Sequence, residues 1–281
     1  MAKNMDKRPL FSGYSTDEEN PILEVLLSHR SIRKFKDKPI PQKALDHILT
    51  AAQQSSTSCN YQAYSIIVID NLSIREQIRD LSGNQPYIAD CGIFLIFCAD
   101  ISRLHYICKK QGYRFRGDHI DSLLSSHGDA LIACQSAAVA AESMGFGICM
   151  IGNIRNEPQA ISDLLELPQY VFATVGLAIG YPDEESDVKP RLPQRLVVSR
   201  NKYYANHLQE DIEAYDHVMC NSKIYHGRIQ PLHEVDPSLK ETFTEKNYGW
   251  IEHSARRLAS CVQDQRRDFA IFLQRKGFYI K

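Results

Sequence analysis

The stretch His29-Arg30-Ser31-Ile32-Arg33-Lys34-Phe35 directly follows the segment Pro21-Ile-Leu-Glu-Val-Leu-Leu-Ser28. The earlier segment predicts a short amphipathic helix, because its apolar residues recur at helical spacing and Pro21 stands in its first turn. Cationic side chains then cluster where that helix runs out. Such a cluster is either a solvated helix end or a phosphate site, since arginine forks bind phosphate through paired charge-assisted bonds. Composition alone favours the solvated end.

Length and composition exclude several classes of protein. The 281 residues allow one large domain or two small ones, and 43% hydrophobic with 24% charged residues is typical of a soluble globular chain. A formal net charge of −1 gives no electrostatic reason to expect nucleic acid or an anionic membrane. The polar N-terminus resembles no secretory signal, and the longest apolar run, 91–99, is too short to span a bilayer. We therefore expect a cytoplasmic protein without nucleic-acid or membrane partners.

The eight cysteines and ten histidines predict neither a disulfide framework nor a metal site. No C-x-x-C, H-x-x-x-H or H-E-x-x-H spacing occurs, and most cysteines lie in apolar segments, which indicates reduced, buried thiols. Cys59 has no histidine placed beside it by the sequence. We therefore expect its thiol to line a pocket rather than to act as a nucleophile.

Hydrophobic periodicity predicts helices layered against an apolar sheet. Strands are indicated at 65–69, 92–99, 147–152 and 171–180. Helices are predicted at 42–54, 71–81, 119–144, 156–167 (capped by Asn156), 211–220 and 250–275. The second half of helix 119–144 is apolar nearly all round and predicts a central buried helix, whereas 101–118 and 221–247 are interpreted as irregular.

No clean domain boundary divides the chain. Residues 1–20 are polar and predict a flexible arm. The last quarter is too poor in core residues to fold alone. The sequence therefore predicts a single domain over 21–281, in which about 200–281 forms a C-terminal extension.

Common nucleotide motifs are absent, but polar groups stand at the ends of several predicted elements. There is no complete G-x-G-x-x-G, no G-x-x-x-x-G-K-[ST] and no G-x-S-x-G. The remaining pieces offer cations for a phosphate, hydroxyls and amides for a heterocycle edge, and small residues for close backbone approach. They are His29–Arg33, Ser56–Asn60, Gly83–Gln85, Ile151–Asn153 and Lys189–Arg191. This inventory fits a flat, phosphorylated cofactor.

Taken in this order, the motifs resemble the nitroreductase family of flavin oxidoreductases. Within it they are similar to the branch of the major oxygen-insensitive nitroreductase and the luminous-bacterial flavin reductase. The resemblance covers most of residues 21–200 and is carried by H-R-S-I-R-K-F, S-G-N-Q-P-Y, A-A-E-S-M-G-F-G-I, I-G-N-I-R-N and K-P-R-L-P. It implies an α+β, nitroreductase-like fold with a mostly antiparallel central sheet flanked by helices. It also implies a homodimer embraced by the C-terminal extensions, with FMN at two interface sites and NADPH or NADH as electron donor.

The resemblance also implies which residues contact FMN. His29, Arg30 and Ser31 are placed by the phosphate and ribityl chain. Lys189 and Arg191 complete the phosphate clamp. Arg33 falls beside the pyrimidine edge, where a guanidinium stabilises the negative charge of reduced flavin. The residues implied around the ring are Thr57, Ser58, Cys59, Gln85, Met150, Ile151, Gly152 and Asn153.

The activity implied by the resemblance is ping-pong electron transfer through FMN N5 to nitro compounds, quinones or free flavins. FMN carries the chemistry, so no catalytic side chain is expected. The chain departs from the family at Met150–Asn153, where Tyr-Ile-Gly-Gly is usual, and Asn153 adds bulk and an amide close to N5. That departure keeps open an alternative function, a non-catalytic flavin-binding carrier, sensor or interaction module. The sequence leaves open the physiological acceptor and the choice between NADPH and NADH.

Overall fold

The computed structural model describes residues 20–204, 206–222, 224–236, 238–260, 266 and 268–279. The described residues fall into two compact units. The first unit is formed within Pro21–Ser186 and Arg266–Lys281, and the second within Asp187–Gln265. The predicted N-terminal arm lies outside the described residues except for Asn20. The prediction of a single domain over 21–281 stays a prediction.

Helices and strands alternate irregularly along the first unit. Its strands are β1 (Tyr64–Ile69), β2 (Ile93–Asp100), β3 (Gly147–Ile151) and β4 (Val171–Gly180). Its helices before β4 are α1 (Pro21–Leu27), α2 (Gln42–Gln53), α3 (Leu72–Leu81), α4 (Tyr87–Asp90), α5 (Ser102–Lys110), α6 (Ile120–Ser143) and α7 (Pro158–Leu164). The second unit contains α8 (Gln194–Val197), α9 (Leu208–Asn221) and α10 (Trp250–Ala259), and the chain then adds α11 (Phe269–Arg275) to the first unit.

The four strands form one antiparallel sheet in the order β1-β2-β4-β3. The two central strands, β2 and β4, are buried along their whole length. Burial on both faces explains why their sequences are continuous apolar runs rather than alternating patterns. The predicted α+β class and the antiparallel sheet flanked by helices are confirmed.

Helices cover both faces of the sheet. Helices α2 and α6 pack on one face, where Ile48 and Ala133 are fully buried with Leu95 of β2. Helices α3, α4 and α7 cover the other face with three fully buried isoleucines, Ile78, Ile88 and Ile161. The sheet is therefore the middle layer of the first unit, and its strand ends lie where helices and loops meet.

The C-terminal helix α11 packs in the first unit through aromatic side chains. Phe272 and Phe278 are buried with Phe172 of β4, and the rings of Phe172 and Phe278 meet edge to face at 5.7 Å. Burial of such rings is worth about 2–3 kcal/mol each. This packing keeps the chain segment that contains Arg266 in the first unit.

The interpretation of 101–118 as irregular is wrong for its first half, which forms α5. Asp100 accepts hydrogen bonds from the backbone N–H and the hydroxyl of Ser102 and so holds the start of the helix. Lys109 and Lys110 lie in its last turn, where the helix dipole favours cations. The polar composition concealed a helix that joins the core through Leu104 and bonds the start of β1 through Arg103, which donates to the Tyr64 carbonyl.

The prediction that α6 is buried all round is wrong on one face. Ala130, Ala133 and Ala137 pack against the sheet, because small side chains let the helix approach closely. The larger Leu131 and Ile132 point outward and are 39% and 45% exposed. The helix is therefore buried on one face and apolar but exposed on another.

Two further boundary predictions are corrected. The predicted helix 250–275 is two helices, because Ser260 adopts an extended conformation that ends α10. Asn156 does not cap α7; Glu157 precedes its first residue, and the Asn156 side chain bonds a distant arginine instead.

Among the described residues, no helix combines the length and the apolar character needed to cross a bilayer.

Candidate functional site

The segment after α1 runs along the outer edge of β3. Ser31 forms a parallel bridge with Ile148, whose carbonyl accepts the Ile32 N–H at 2.8 Å. Gly147 permits this approach, because a Cβ there would lie 2.7 Å from the Ile32 side chain. The buried Ile32 therefore anchors the predicted phosphate-binding residues, which stay at least partly exposed on either side of it.

His29 is oriented by a carboxylate near the end of α6. Its Nδ1 lies 2.7 Å from Oε1 of Glu142, whose side chain is only 13% exposed. Since the carboxylate accepts the proton on Nδ1, the Nε2 atom is left for a ligand. Arg30 is exposed and donates to the Ser28 carbonyl. The chain thus presents an oriented imidazole and an exposed guanidinium at one end of α6.

Arg33 lies with groups from two other elements. It hydrogen-bonds Tyr87 of α4, and Cys149 of β3 also contacts that tyrosine. Burial raises the pKa of Tyr87, Cys149 raises it further, and the positive charge of Arg33 opposes both. Gln85 precedes Tyr87 by two residues. The fold therefore brings Arg33, Gln85 and β3 to the same region, as the resemblance implies for the flavin ring.

Gln85 contains a buried acceptor that nothing in the described residues satisfies. Its Oε1 atom is shielded from solvent and has no hydrogen-bond partner there. The side chain follows a sharp turn in which Gly83 and Asn84 have left-handed φ angles of 76° and 53°. An unsatisfied buried acceptor costs about 1–3 kcal/mol, so a ligand that supplied a donor here would be stabilised by that hydrogen bond. The N3–H of a flavin is such a donor, so the residues present fit FMN.

The end of β3 leads into a 3₁₀ turn at Gly152–Arg155. Met150, just before it, is 37% exposed. Arg266 donates from Nε and Nη2 to Oδ1 of Asn156, at 3.0 and 2.8 Å, and its Nη2 lies 3.4 Å from Oδ1 of Asn153. Arg266 could not be predicted from the sequence, because 113 residues separate it from Asn153 and no local pattern joins the two.

The predicted ring-bordering residues Thr57, Ser58 and Cys59 lie in a tight loop after α2. Cys59 and the residue after it have left-handed φ angles of 50° and 54°. Asp129 of α6 holds this loop, since its two carboxylate oxygens accept the N–H groups of Ser58 (2.8 Å) and Ala63 (3.1 Å). Asp129 was not among the predicted site residues, although a carboxylate among the apolar residues of a helix is a signal that could have identified it.

One chain does not bring all the predicted contacts together. His29 is joined to residue 142 of α6, whereas Ser58 is joined to residue 129 of the same helix. At about 1.5 Å per residue these attachment points are about 20 Å apart along the helix axis. The loop 57–59 and the segment 29–31 of a single chain therefore lie at separate places along α6.

The two remaining predicted cations belong to the second unit. The Tyr215 hydroxyl of α9 donates to the Pro190 carbonyl at 3.1 Å, which holds the turn containing Lys189 and Arg191. Burial raises the pKa of Tyr215, and the charge of Arg191 opposes that rise. The prediction that Lys189 and Arg191 complete an FMN phosphate clamp stays a prediction.

Comparison with known proteins gives consistent matches over nearly the whole chain. The model of the nitroreductase family matches residues 26–181, and that of the nitroreductase family C-terminal domain matches 189–281. A protein of Bacillus subtilis named FMN reductase (NADPH) is 40% identical over 66% of this chain and 76% of its own length. A Pseudomonas protein named Cr(VI) reductase is 34% identical over 82% of this chain and 99% of its own.

A solved structure shares the fold. The NADPH:FMN oxidoreductase from Vibrio harveyi, solved with NAD⁺, has a TM-score of 0.77 and 31% identity, covering 92% of this chain and 98% of that one. Together with the family matches, this confirms the resemblance that the sequence motifs indicated. The chain belongs to the nitroreductase family.

Proposed function

We propose that this protein is an FMN-dependent NAD(P)H oxidoreductase that passes electrons to nitro compounds, quinones or free flavins. The observation that carries the proposal is the buried, unpaired Oε1 of Gln85 in the region that also holds Arg33 and the end of β3. Support comes from membership of the nitroreductase family. It also comes from relatives named FMN reductase (NADPH) and NADPH:FMN oxidoreductase.

The side chains bind FMN and tune its reduction potential, while bound FMN supplies the chemistry of hydride acceptance and electron transfer. Gln85 accepts a hydrogen bond from the polar edge of the ring. Arg33 places a guanidinium where negative charge develops when the ring is reduced, and an oriented charge stabilises it without reorganisation. His29 presents Nε2 to the phosphate while Glu142 holds Nδ1. No general acid or base is required of the chain.

We further infer a homodimer in which each FMN is bound by two subunits. The segment 29–31 and the loop 57–59 attach to α6 about 20 Å apart, so we expect two chains, rather than one, to bring the phosphate contacts and the ring contacts to the same FMN. The exposed apolar face of α6, with Leu124, Leu131 and Ile132, is a surface that a second copy would cover. Residues 57–59 of one subunit then border the flavin bound by residues 29–33 of the other.

The purified wild-type protein is sufficient to test the proposal. We expect a flavin absorbance spectrum corresponding to one FMN per chain and a molar mass in solution of twice that of the chain. Anaerobic mixing with NADPH or NADH in a stopped-flow instrument should bleach the flavin, and addition of 1,4-benzoquinone should restore it. A protein that binds FMN but is not bleached by either nucleotide is a flavin-binding module and would contradict the enzymatic proposal.

A further inference from the structure

The Asn153 side chain stands at the end of β3 between two fixed neighbours. Its Oδ1 faces Nη2 of Arg266 at 3.4 Å. Its Nδ2 lies 3.3 Å from the point that a Cβ on Gly83 would occupy, so the amide nitrogen faces the turn that leads to Gln85. The amide is bounded on both sides and is not free to rotate away.

Arg266 is itself held in place, which makes it an effective anchor. Its Nε and Nη2 both bind Oδ1 of Asn156, at 3.0 and 2.8 Å, and its Nη2 also reaches the Gly152 carbonyl at 3.5 Å. A planar fork fixed by several acceptors loses little freedom when it makes one more contact. The position of the Asn153 amide is thus set by a residue far away in sequence.

Asn153 borders accessible surface rather than the core. It is half-buried, and Met150, on the same chain segment, is 37% exposed. If FMN lies against Met150–Asn153 as proposed above, a second substrate must come within about 3–3.5 Å of the ring. A fixed amide at this border takes up space that wide, flat molecules need.

We propose that Asn153, positioned by Arg266, sets the order of preference among the acceptors proposed above, favouring monocyclic nitro compounds and quinones over polycyclic acceptors such as free flavins. The inference rests on the proposed function, since it requires FMN at the end of β3. The property that Asn153 would select is the width of the acceptor molecule. The same amide offers N–H donors to the nitro or carbonyl oxygen of an acceptor narrow enough to enter.

The test uses redox-inert ligands, so that binding is read without turnover. Benzoate and anthracene-2-carboxylate are titrated into the oxidised holoenzyme, and dissociation constants are taken from the change in flavin absorbance. We expect Asn153→Gly to tighten anthracene-2-carboxylate by about tenfold and to change benzoate by no more than about twofold. Arg266→Gln should shift the ratio in the same direction by a smaller factor. Arg275→Gln, which removes an exposed arginine of α11, is the matched control and should leave the ratio unchanged.

A parallel measurement compares kcat/KM for 1,4-benzoquinone and 2-methyl-1,4-naphthoquinone. The glycine variant should favour the bicyclic quinone by a similar factor. An unchanged ratio in Asn153→Gly, in a protein that keeps its FMN and melting temperature, overturns the specificity proposal alone. If the wild-type protein fails to bind FMN, the proposed function and this inference fall together; if it binds FMN but is not reduced, the ligand titration still decides the inference.

Discussion

At the scale of single residues, the site is organised by side chains whose hydrogen bonds only tertiary contacts explain. Gln85 has an acceptor that no described residue satisfies, whereas Asp129 satisfies two backbone donors at once. Buried polar groups are normally paired, so the unpaired acceptor of Gln85 is a candidate ligand contact, whereas the doubly paired carboxylate of Asp129 is a structural anchor. We therefore expect replacement of Gln85 to stabilise the protein without FMN and replacement of Asp129 to destabilise it.

Replacing Gln85 by leucine should change stability and cofactor binding in opposite directions. Without FMN, the variant removes an unpaired buried acceptor, and we expect the apoprotein to gain up to about 1 kcal/mol of unfolding free energy. With FMN, the lost hydrogen bond should weaken binding about tenfold. Urea denaturation and fluorescence titration with FMN measure the two quantities. Equal or tighter FMN binding in the variant would contradict the assignment of Gln85 to the ring edge.

Replacing Asp129 by alanine should loosen the loop 57–63. A buried N–H group at Ala63 and a partly buried one at Ser58 lose their acceptor, and we expect a loss of about 3 kcal/mol in unfolding free energy. Hydrogen exchange should accelerate at the amides of Ser58 and Ala63. Asp129→Asn keeps one acceptor oxygen and is the matched control, with a smaller loss of protection expected. Unchanged exchange at both amides in the alanine variant would rule out this anchoring role.

At the scale of elements, helices are positioned by ion pairs that their own sequences do not reveal. In the second unit, the buried Arg256 of α10 contacts Glu252 one turn earlier and Glu241 in the irregular segment before the helix, both at 2.6 Å. It also donates to the Gln230 carbonyl at 2.9 Å. Arg256 thus connects the segment that contains Gln230 and Glu241 to α10. These polar contacts stand where a hydrophobic core would otherwise be expected, because the segment is poor in apolar residues.

Acid should weaken the second unit through Glu241. The hydrogen bond from Arg256 lowers the pKa of Glu241 from its ordinary value to about 2. A carboxyl whose folded pKa is depressed contributes its full stabilisation above its unfolded pKa, near 4.5, and loses it as the pH falls towards 2. We expect the wild-type melting temperature to fall between about pH 5 and pH 2, and Glu241→Gln to be less stable at pH 7 with a flatter decline. Identical pH profiles would contradict the assignment.

Replacing Arg256 should lower the stability of the protein more than Glu241→Gln does. Arg256→Met leaves Glu241 and Glu252 without their partner and one buried carbonyl without its donor. Removing one member of a buried ion pair typically costs about 3–5 kcal/mol, and we expect a loss near about 3 kcal/mol because both carboxylates can reach water. Thermal unfolding at neutral pH measures it. Arg257→Met, at the next position of α10, provides the comparison.

At the scale of the whole molecule, the apolar face of α6 suggests that the chain does not function alone. Leu124 and Leu131 are 62% and 39% exposed on a helix that otherwise packs in the core. A Cβ added at Gly128, between them on the same face, would touch nothing within 4 Å. Such a surface is unfavourable in water, and a second copy of the chain would remove it from solvent.

Charging this face should separate the subunits and release FMN together. We expect Leu131→Glu to weaken dimerisation by more than about a hundredfold, because a carboxylate would be buried unpaired at the interface. Flavin content should fall in parallel, since each site is proposed to need both chains. Light scattering after size exclusion and flavin absorbance measure the two effects. Leu72→Glu, at a 53% exposed leucine of α3, should remain dimeric and yellow. A monomer that keeps its full FMN would contradict the shared site.

Local periodicity was enough to predict the four strands and the helices α1 to α3, α6, α7 and α9, but not the four-residue helix α4. Short motifs such as Gly83–Gln85 and Ile151–Asn153 were enough to indicate the family. The sequence also predicted that Arg33 and Gln85 share a region. Tertiary contacts were needed to show that α5 is a helix, that α6 exposes one apolar face, that Arg266 bonds Asn156 and reaches Asn153, and that Asp129 holds the loop after α2. Hydrogen bonds between residues more than 60 positions apart leave no trace in a periodic pattern. Packing also determines which face of an apolar helix is left for a partner.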